Sequence, residues 1–495
     1  MAAATRREFL KQVGAGAAVA VTSGDPGGRP RAERPAAAEV VSAPRPGAGS
    51  DPISPRRRPP NILFILADDL GYGDLGCYGQ PRIRTPNLDR LAADGLRFTD
   101  AYAGSTVCAP SRCSLMMGLH TGRCRIRGNA RLPLRPEDVT VAEVLKGAGY
   151  ATGLAGKWGL GEAGSTGVPT RQGFDSFFGY LNQHHAHNYW PTFLWRNEER
   201  IALQNVVPKE DVQGGGVASE RRQYSHDLVT EEALAFIERH ARQPWFLYLA
   251  WTIPHANNEA GRQGMEVPTD EPYSAEPWPQ VEKNKAAMIT RMDRDVGRLL
   301  ERLARLGLDR ETVVFFTSDN GPHKEGGTDP AFFGSSGPLR GIKRDLYEGG
   351  IRVPMIVRWP GHIKPGAVSD YPWAFWDFLP TAADLAGAGA QAGLDGISVA
   401  PVLLGKSGPE RDCLYWEFYE QGGAQAVRRG RWKAVRKGVA DPGAPIELYD
   451  LPTDLGETKD VAAAHPDLVR QMAALMQKNH SPSPHWSVRP KGGKA

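Results

Sequence analysis

The sequence predicts an α/β protein with a mostly parallel central sheet sandwiched by helices. Three observations predict it. Asn61–Ala67, Phe246–Trp251 and Thr312–Thr317 are unbroken apolar runs, the pattern of strands buried on both faces of a parallel sheet. Each run stops at residues that carry chemistry: Asp68-Asp69, the Thr252-Ile253-Pro254-His255 turn, and Ser318-Asp319-Asn320-Gly321. The carboxyl ends of strands are where open α/β sheets bind ligands. The segment Asn87–Gly95 supplies a helix, with Gly95 as its C-terminal stop.

Further elements follow in order. Tyr150–Ala155 reads as a short strand leading into Gly156-Lys157-Trp158-Gly159-Leu160-Gly161, and Val353–Trp359 as one more strand ending at Pro360-Gly361. After about Gly405 the pattern changes to short strands separated by turn residues: Leu414–Phe418, Ala424–Arg428, Trp432–Val435 and Glu447–Asp450. They predict a small antiparallel sheet. Pro466–Asn479 has helical apolar spacing with Pro at its start. The expected layout is a main domain over 60–404, an α+β subdomain over 405–480 and a flexible tail over 481–495.

The N-terminal segment has a different character. Arg6-Arg7 followed by Phe9-Leu10-Lys11 and a mild apolar stretch from Val13 to Val21 resembles a twin-arginine export signal over residues 1–28. The apolar stretch is too short to span a bilayer, and no other segment reads as a transmembrane span. Residues 29–59, rich in Pro, Gly, Ala and Arg, read as disordered linker. The expectation is a protein exported, folded, by the twin-arginine machinery to the periplasm or beyond.

The chain has 495 residues, 41% of them hydrophobic, enough for a large core. A net charge of +4 over a mixed surface, with basic runs as short as Arg56–Arg58 and Arg428-Arg429, gives no stripe for nucleic acid. Five cysteines, Cys77, Cys108, Cys113, Cys124 and Cys413, match no zinc spacing. They leave room for one or two disulfides after export, though Cys113 and Cys124 read as packing thiols.

Two constellations carry chemistry. Asp68, Asp69, Asp319 and Asn320 form an all-oxygen set at two strand ends, suited to a hard divalent cation, calcium more readily than magnesium, and not to zinc. The stretch Val107–Arg123 puts Cys108 ahead of a helix for which Ser111 is a good N-cap, where backbone N–H groups and the helix dipole favour an anion. Arg112 adds a planar cationic fork. A nucleophile at an anion-binding turn is the physical reading.

Cys108, Pro110, Ser111, Arg112, Thr121 and Gly122 together resemble the signature of type I sulfatases, of the alkaline-phosphatase-like superfamily. Gly156–Gly161, Gly337–Lys343 and Tyr347–Pro354 extend the resemblance over most of the chain. It implies that a formylglycine-generating enzyme oxidises Cys108 to formylglycine, whose hydrate attacks a sulfate ester. It implies one calcium ion held by Asp68, Asp69, Asp319, Asn320 and the converted Cys108. Arg112, Lys157 and Lys343 would hold the sulfate oxygens, and His255 would protonate the leaving alcohol, a role suited to imidazole. At position 159 many members have His; here it is Gly.

The loop Asn182–Trp190 packs imidazoles, amides and aromatics together. His184, His185, His187 and Asn188, with His323 after the second acidic tip, are candidate contacts to a sulfated sugar; a packed surface turn reads equally well. Zinc binding by the three histidines lacks a Cys or carboxylate partner within the loop. Two other readings stand beside the sulfatase one: a phosphate mono- or diester hydrolase of the same superfamily, and a sulfated-glycan-binding protein without turnover.

Overall fold

The structure, a computed structural model, describes residues 58–441 and 443–488. The export signal, all but the end of the linker and the last part of the tail lie outside the described residues.

Among the described residues eleven strands come first. They are β1 (Asn61–Ala67), β2 (Leu96–Phe98), β3 (Ala101–Tyr102), β4 (Ala151–Lys157), β5 (Ser176–Tyr180), β6 (Phe193–Arg196), β7 (Glu199–Ala202), β8 (Trp245–Ala250), β9 (Thr312–Ser318), β10 (Met355–Arg358) and β11 (Ala367–Ser369). Ten of them form one sheet in the order β11-β2-β10-β9-β1-β8-β4-β5-β6-β7. The inner strands β9, β1, β8, β4 and β5 are parallel to one another. β10 runs antiparallel to β9, and the β6–β7 hairpin adds antiparallel strands at the far edge. The expected mostly parallel sheet is therefore present. The expected strand Val353–Trp359 is shorter at both ends than the sequence suggests. β3 pairs with β12 (Trp373–Ala374) in a separate two-stranded ladder.

The inner strands are apolar throughout because the sheet is covered on both faces. Along β1, Ile62, Phe64 and Leu66 pack into one core and Leu63 and Ile65 into another, all fully buried. The first core holds residues of α2 (Cys108–Met117), α3 (Val141–Gly147) and α6 (Phe378–Leu385). The second holds residues of α1 (Pro86–Ala93), α4 (Ser225–Arg239) and α5 (Gln280–Arg305). Burying each such side chain contributes about 1.5–3 kcal/mol, so a charge on either face of these strands is a core defect. Among the described residues no helix is long and apolar enough to cross a membrane.

The C-terminal part forms a four-stranded antiparallel sheet, β13 (Leu414–Phe418), β14 (Ala424–Arg429), β15 (Trp432–Lys437) and β16 (Ile446–Asp450). Helix α7 (Pro466–Asn479) lays Met472, Leu475 and Met476 on one face. The other face packs Trp416 and Val435 against Tyr102, Ile351 and Trp376 of the main body. Buried ion pairs cross this seam: Lys433 lies 2.8 Å from Glu348, and Arg428 lies 2.6 Å from Asp100. All five cysteines are free thiols, so neither of the disulfides for which the sequence left room is present; Cys113 and Cys124 are buried.

Candidate active site

The parallel strands aim their carboxyl ends at one place. Asp68 and Asp69 follow β1, Lys157 ends β4, the turn carrying His255 follows β8, and Asp319 and Asn320 follow β9. All six side chains are at least nine-tenths buried. Asp69 sits at φ 63°, a left-handed conformation that costs a non-glycine residue energy and is found where a side chain must be aimed.

Cys108 is brought to these tips by α2, but not as the sequence suggests. The helix begins at Cys108 with Val107 as its N-cap, so Ser111 lies inside the first turn and its hydroxyl accepts from the Gly104 N–H at 3.1 Å. The extended backbone of Val107 starts the helix earlier, and Pro110 is tolerated because its missing N–H falls in the first turn. The Ala109 N–H donates to Asn129 Oδ1 at 3.0 Å. The helix start thus offers an anion less than expected, and fixed side-chain cations do more.

The Cys108 thiol lies 3.4 Å from Asp68 Oδ1. Burial, and then the Asp68 charge, hold it well above the ordinary thiol value, so it stays protonated. Lys157 Nζ donates to Asp68 Oδ2 at 2.6 Å. Arg112 donates through Nε and one terminal nitrogen to Asp319 Oδ2 at 3.1 and 2.8 Å, and through the other to the Lys157 carbonyl at 2.9 Å. Lys343 Nζ lies 2.8 Å from Asp69 Oδ2 and 3.0 Å from His255 Nε2. The structure therefore brings together Cys108, Arg112, Lys157, His255, Lys343, Asp68, Asp69, Asp319 and Asn320.

The carboxylates and the amide fit a hard cation. Asn320 Nδ2 donates to Asp69 Oδ1 at 2.6 Å, while Asn320 Oδ1 is buried without a hydrogen-bond partner. A buried amide oxygen left unpaired beside three carboxylates is a ligand atom in search of a cation. Burial and the neighbouring Asp68 push Asp319 up to about 7, a repulsion that a divalent ion would relieve.

His255 has a fixed tautomer. Its Nδ1 lies 2.7 Å from the Ala256 carbonyl and so carries the proton, which leaves Nε2 to accept from Lys343. Burial, then the Lys343 charge, push the imidazole well below its ordinary value. The Tyr189 hydroxyl braces the turn by donating to the Thr252 and His255 carbonyls.

The candidate substrate contacts divide. His184 and His187 are partly exposed, and the His187 ring stacks on His255 with centroids 4.9 Å apart. His185 points inward, fully buried against Tyr180 and Phe193, where burial takes its pKa down to about 3. Asn188 is also fully buried, accepting from the Trp190 N–H. His323 accepts from the Glu325 N–H through Nδ1 and meets the Pro254 carbonyl through Nε2. His185 and Asn188 serve the protein interior, whereas the His323 ring stacks on His255 with centroids 5.7 Å apart, at the edge of the catalytic centre.

Position 159 explains itself locally. Gly159 has φ 81°, and a Cβ there would lie 2.2 Å from Gln183 Nε2. Gln183 fills the space beside the glycine, and both polar atoms of its amide are buried without a partner. Thr121 and Gly122 turn out to serve the seam with the small sheet: the Thr121 hydroxyl accepts from the Glu417 N–H at 2.7 Å, and Gly122 abuts Tyr415 and Asn479.

Sequence reasoning missed Glu325. It lies 3.2 Å from Lys343 and 3.6 Å from His255, and it also pairs with Arg344. Burial raises its carboxyl, but Lys343 and the other groups around it, Arg344 among them, together outweigh burial and hold it at about 2. It sits in a glycine-rich loop that carries no sequence signal for such a role.

A sheet whose carboxyl ends gather carboxylates, fixed cations and a helix-borne cysteine around one buried point defines a hydrolase of anionic esters. The chain belongs to the sulfatase family, whose model matches residues 60–388; a second model, described as N-sulphoglucosamine sulphohydrolase, C-terminal, matches residues 342–481. Human arylsulfatase A is 36% identical over 473 residues, covering 84% of this chain and 87% of its own. An N-acetylgalactosamine-6-O-sulfatase from Bacteroides thetaiotaomicron is 32% identical over 498 residues, covering 84% and 92%. Among solved structures, Ps i-CgsB in complex with k-i-k-neocarrahexaose superposes with a TM-score of 0.73 at 29% identity, covering 87% of this chain and 95% of that one. The protein is a sulfuric ester hydrolase.

Proposed function

We propose that this enzyme hydrolyses a sulfate ester on a sulfated carbohydrate, using formylglycine made from Cys108 and one calcium ion. The observation that carries the reading is the placement of Cys108, buried at the first residue of α2 and 3.4 Å from Asp68, within reach of the cations Arg112, Lys157 and Lys343. A protonated, buried thiol is a poor nucleophile, so the position calls for conversion to something better. The formylglycine hydrate supplies the attacking hydroxyl. Asp68, Asp69, Asp319 and Asn320 would hold the calcium, which supplies charge neutralisation at the reacting centre.

Arg112, Lys157 and Lys343 orient the non-bridging oxygens, and such preorganised charge is usually the largest catalytic contribution. His255 is neutral before substrate binds. A sulfate anion beside Lys343 offsets that cation's repulsion, so the imidazole takes up a second proton from water, at Nε2, and passes it to the departing alcohol.

The carbohydrate assignment rests on the partly exposed His184 and His187 at the rim and on relatives named for sugar sulfates. Conversion by a formylglycine-generating enzyme in the cytoplasm, followed by twin-arginine export, completes the reading. Mass spectrometry of the peptide containing Cys108 from the native host, paired with sulfate release from defined sulfated mono- and disaccharides, tests it. An aldehyde at residue 108 and turnover lost in Cys108→Ala are expected. An intact thiol in an enzyme that still releases sulfate would overturn it.

A further inference from the structure

Beside the catalytic centre, the 182–190 loop builds a second constellation that the sulfatase chemistry does not use. The 3-10 turn His185–His187 puts His184 and His187 three residues apart, so both rings project to the same side while His185 turns inward. The rings of His184 and His187 stand 5.6 Å apart. Glu259, from the turn Asn258–Gln263, reaches between them. Its Oε1 is 3.2 Å from His184 Nδ1, and its Oε2 is 3.3 Å from His187 Nδ1.

Those separations have a metric meaning. In a tetrahedral zinc site with bonds of about 2.0–2.1 Å, neighbouring donor atoms stand about 3.3 Å apart. The back of the cluster is arranged to match. His184 Nε2 lies 2.5 Å from Asp211 Oδ2, and Asp211 Oδ1 is itself pinned by the N–H groups of Gln213 and Gly215 at 2.8 and 3.1 Å. A carboxylate behind an imidazole fixes its tautomer. With the proton on Nε2, the Nδ1 lone pair of His184 faces a carboxylate oxygen, an arrangement that a cation between them makes favourable. The donor set of two imidazoles and a carboxylate suits zinc, in contrast to the all-oxygen set at Asp68, Asp69, Asp319 and Asn320.

We propose that His184, His187 and Glu259 form a second metal site, for a zinc-class divalent cation, with Asp211 orienting His184. Three protein ligands leave a fourth position. The stack of His187 on His255 places the cation at the rim of the catalytic centre, where it pins the loop and presents a Lewis-acidic position to the leaving sugar. The carboxylates that the sequence alone could not supply come from Asp211 and Glu259, outside the loop.

The test uses full-length protein in a Cys108→Ala background, which removes the active-site thiol as a competing zinc ligand. The protein is stripped with chelator, returned to excess calcium and titrated with Zn2+ by calorimetry, with metal content measured after desalting. One retained equivalent of zinc is expected, lost in His187→Ala and in Glu259→Gln, and weakened about 10–100-fold in Asp211→Asn. Co2+ in the site should give the visible absorption of a four-coordinate centre. Circular dichroism of the metal-free variants checks folding, and Asp211→Asn carries the test if a ligand variant misfolds. No retained zinc, or zinc retained equally by these variants, would overturn the site; hydrogen bonds from the two imidazoles to Glu259 and Asp211 would then account for the geometry. The outcome is independent of whether Cys108 is converted.

Discussion

Lys157 Nζ and Asp68 Oδ2 stand 2.6 Å apart, both fully buried, although their strands β4 and β1 are separated by β8. The long lysine side chain reaches across the sheet's carboxyl edge to meet a carboxylate that also contacts the Cys108 thiol. Burial lowers the Lys157 ammonium, but Asp68 and the other acidic groups around it together outweigh burial, and it lies above its ordinary value. Lys157→Met should therefore lower kcat/KM by about 100-fold or more, because a preorganised cation at the sulfate is lost. It should also destabilise the fold, since a buried carboxylate loses its nearest partner, at a cost of about 3 kcal/mol. Steady-state kinetics with an aryl sulfate and thermal unfolding check both; unchanged kinetics would remove Lys157 from the sulfate site.

How much of this was legible beforehand follows from what makes a residue visible in one dimension. Asp68, Asp69, Asp319 and His255 announce themselves because each ends an apolar run, and burial on both faces leaves a strand no other way to look. The start of α2 was misplaced because Val107 and Ser111 are both acceptable ends and only the extended φ/ψ of Val107 decides. His185 and His187 are the same residue type two positions apart, and the direction of a 3-10 turn separates core from rim. Glu259, Asp211 and Glu325 were invisible, being polar residues in loops whose paths are set by what they pack against.

Gly159 makes a second prediction. Its left-handed backbone and the Gln183 amide both oppose a side chain, so Gly159→Ala should destabilise by about 1 kcal/mol or more. Adding Gln183→Ala removes the clash but not the backbone strain, so thermal stability should recover only in part. Full recovery would mean that the backbone at 159 relaxes freely.

The unpaired Asn320 Oδ1 makes a third. Protein stripped of divalent ions should lose activity and melt earlier. Calcium at about 100 times its Kd should restore about 2.7 kcal/mol of stability, and zinc alone should not bring the activity back. Asn320→Ala should need about tenfold more calcium for the same midpoint, because one oxygen ligand is gone. A calcium-independent melting temperature would remove the cation from this set.

The last prediction concerns pH and lies far from the reacting centre. Asp295 on α5 is fully buried, with His226 of α4 3.0 Å from Oδ2, Arg294 donating to both oxygens and Arg298 to Oδ1. Burial raises its carboxyl, but the hydrogen bond from His226 and the arginine charges outweigh burial and bring it well below the ordinary carboxylate range. A carboxyl lowered on folding contributes stability that is complete above its unfolded value, about 3.9, and is lost as pH falls through the folded value. Asp295→Asn should therefore lower the melting temperature at pH 7, by the equivalent of about 3 kcal/mol. The gap between mutant and wild type should narrow only below about pH 4, where this carboxyl takes up a proton in the unfolded wild-type chain while the folded one stays ionised. Turnover at 25 °C should be unchanged, since neither residue of the pair reaches the sulfate site. Melting curves from pH 3 to pH 8 decide it: a gap of constant size would show that the pair is held by packing and not by charge.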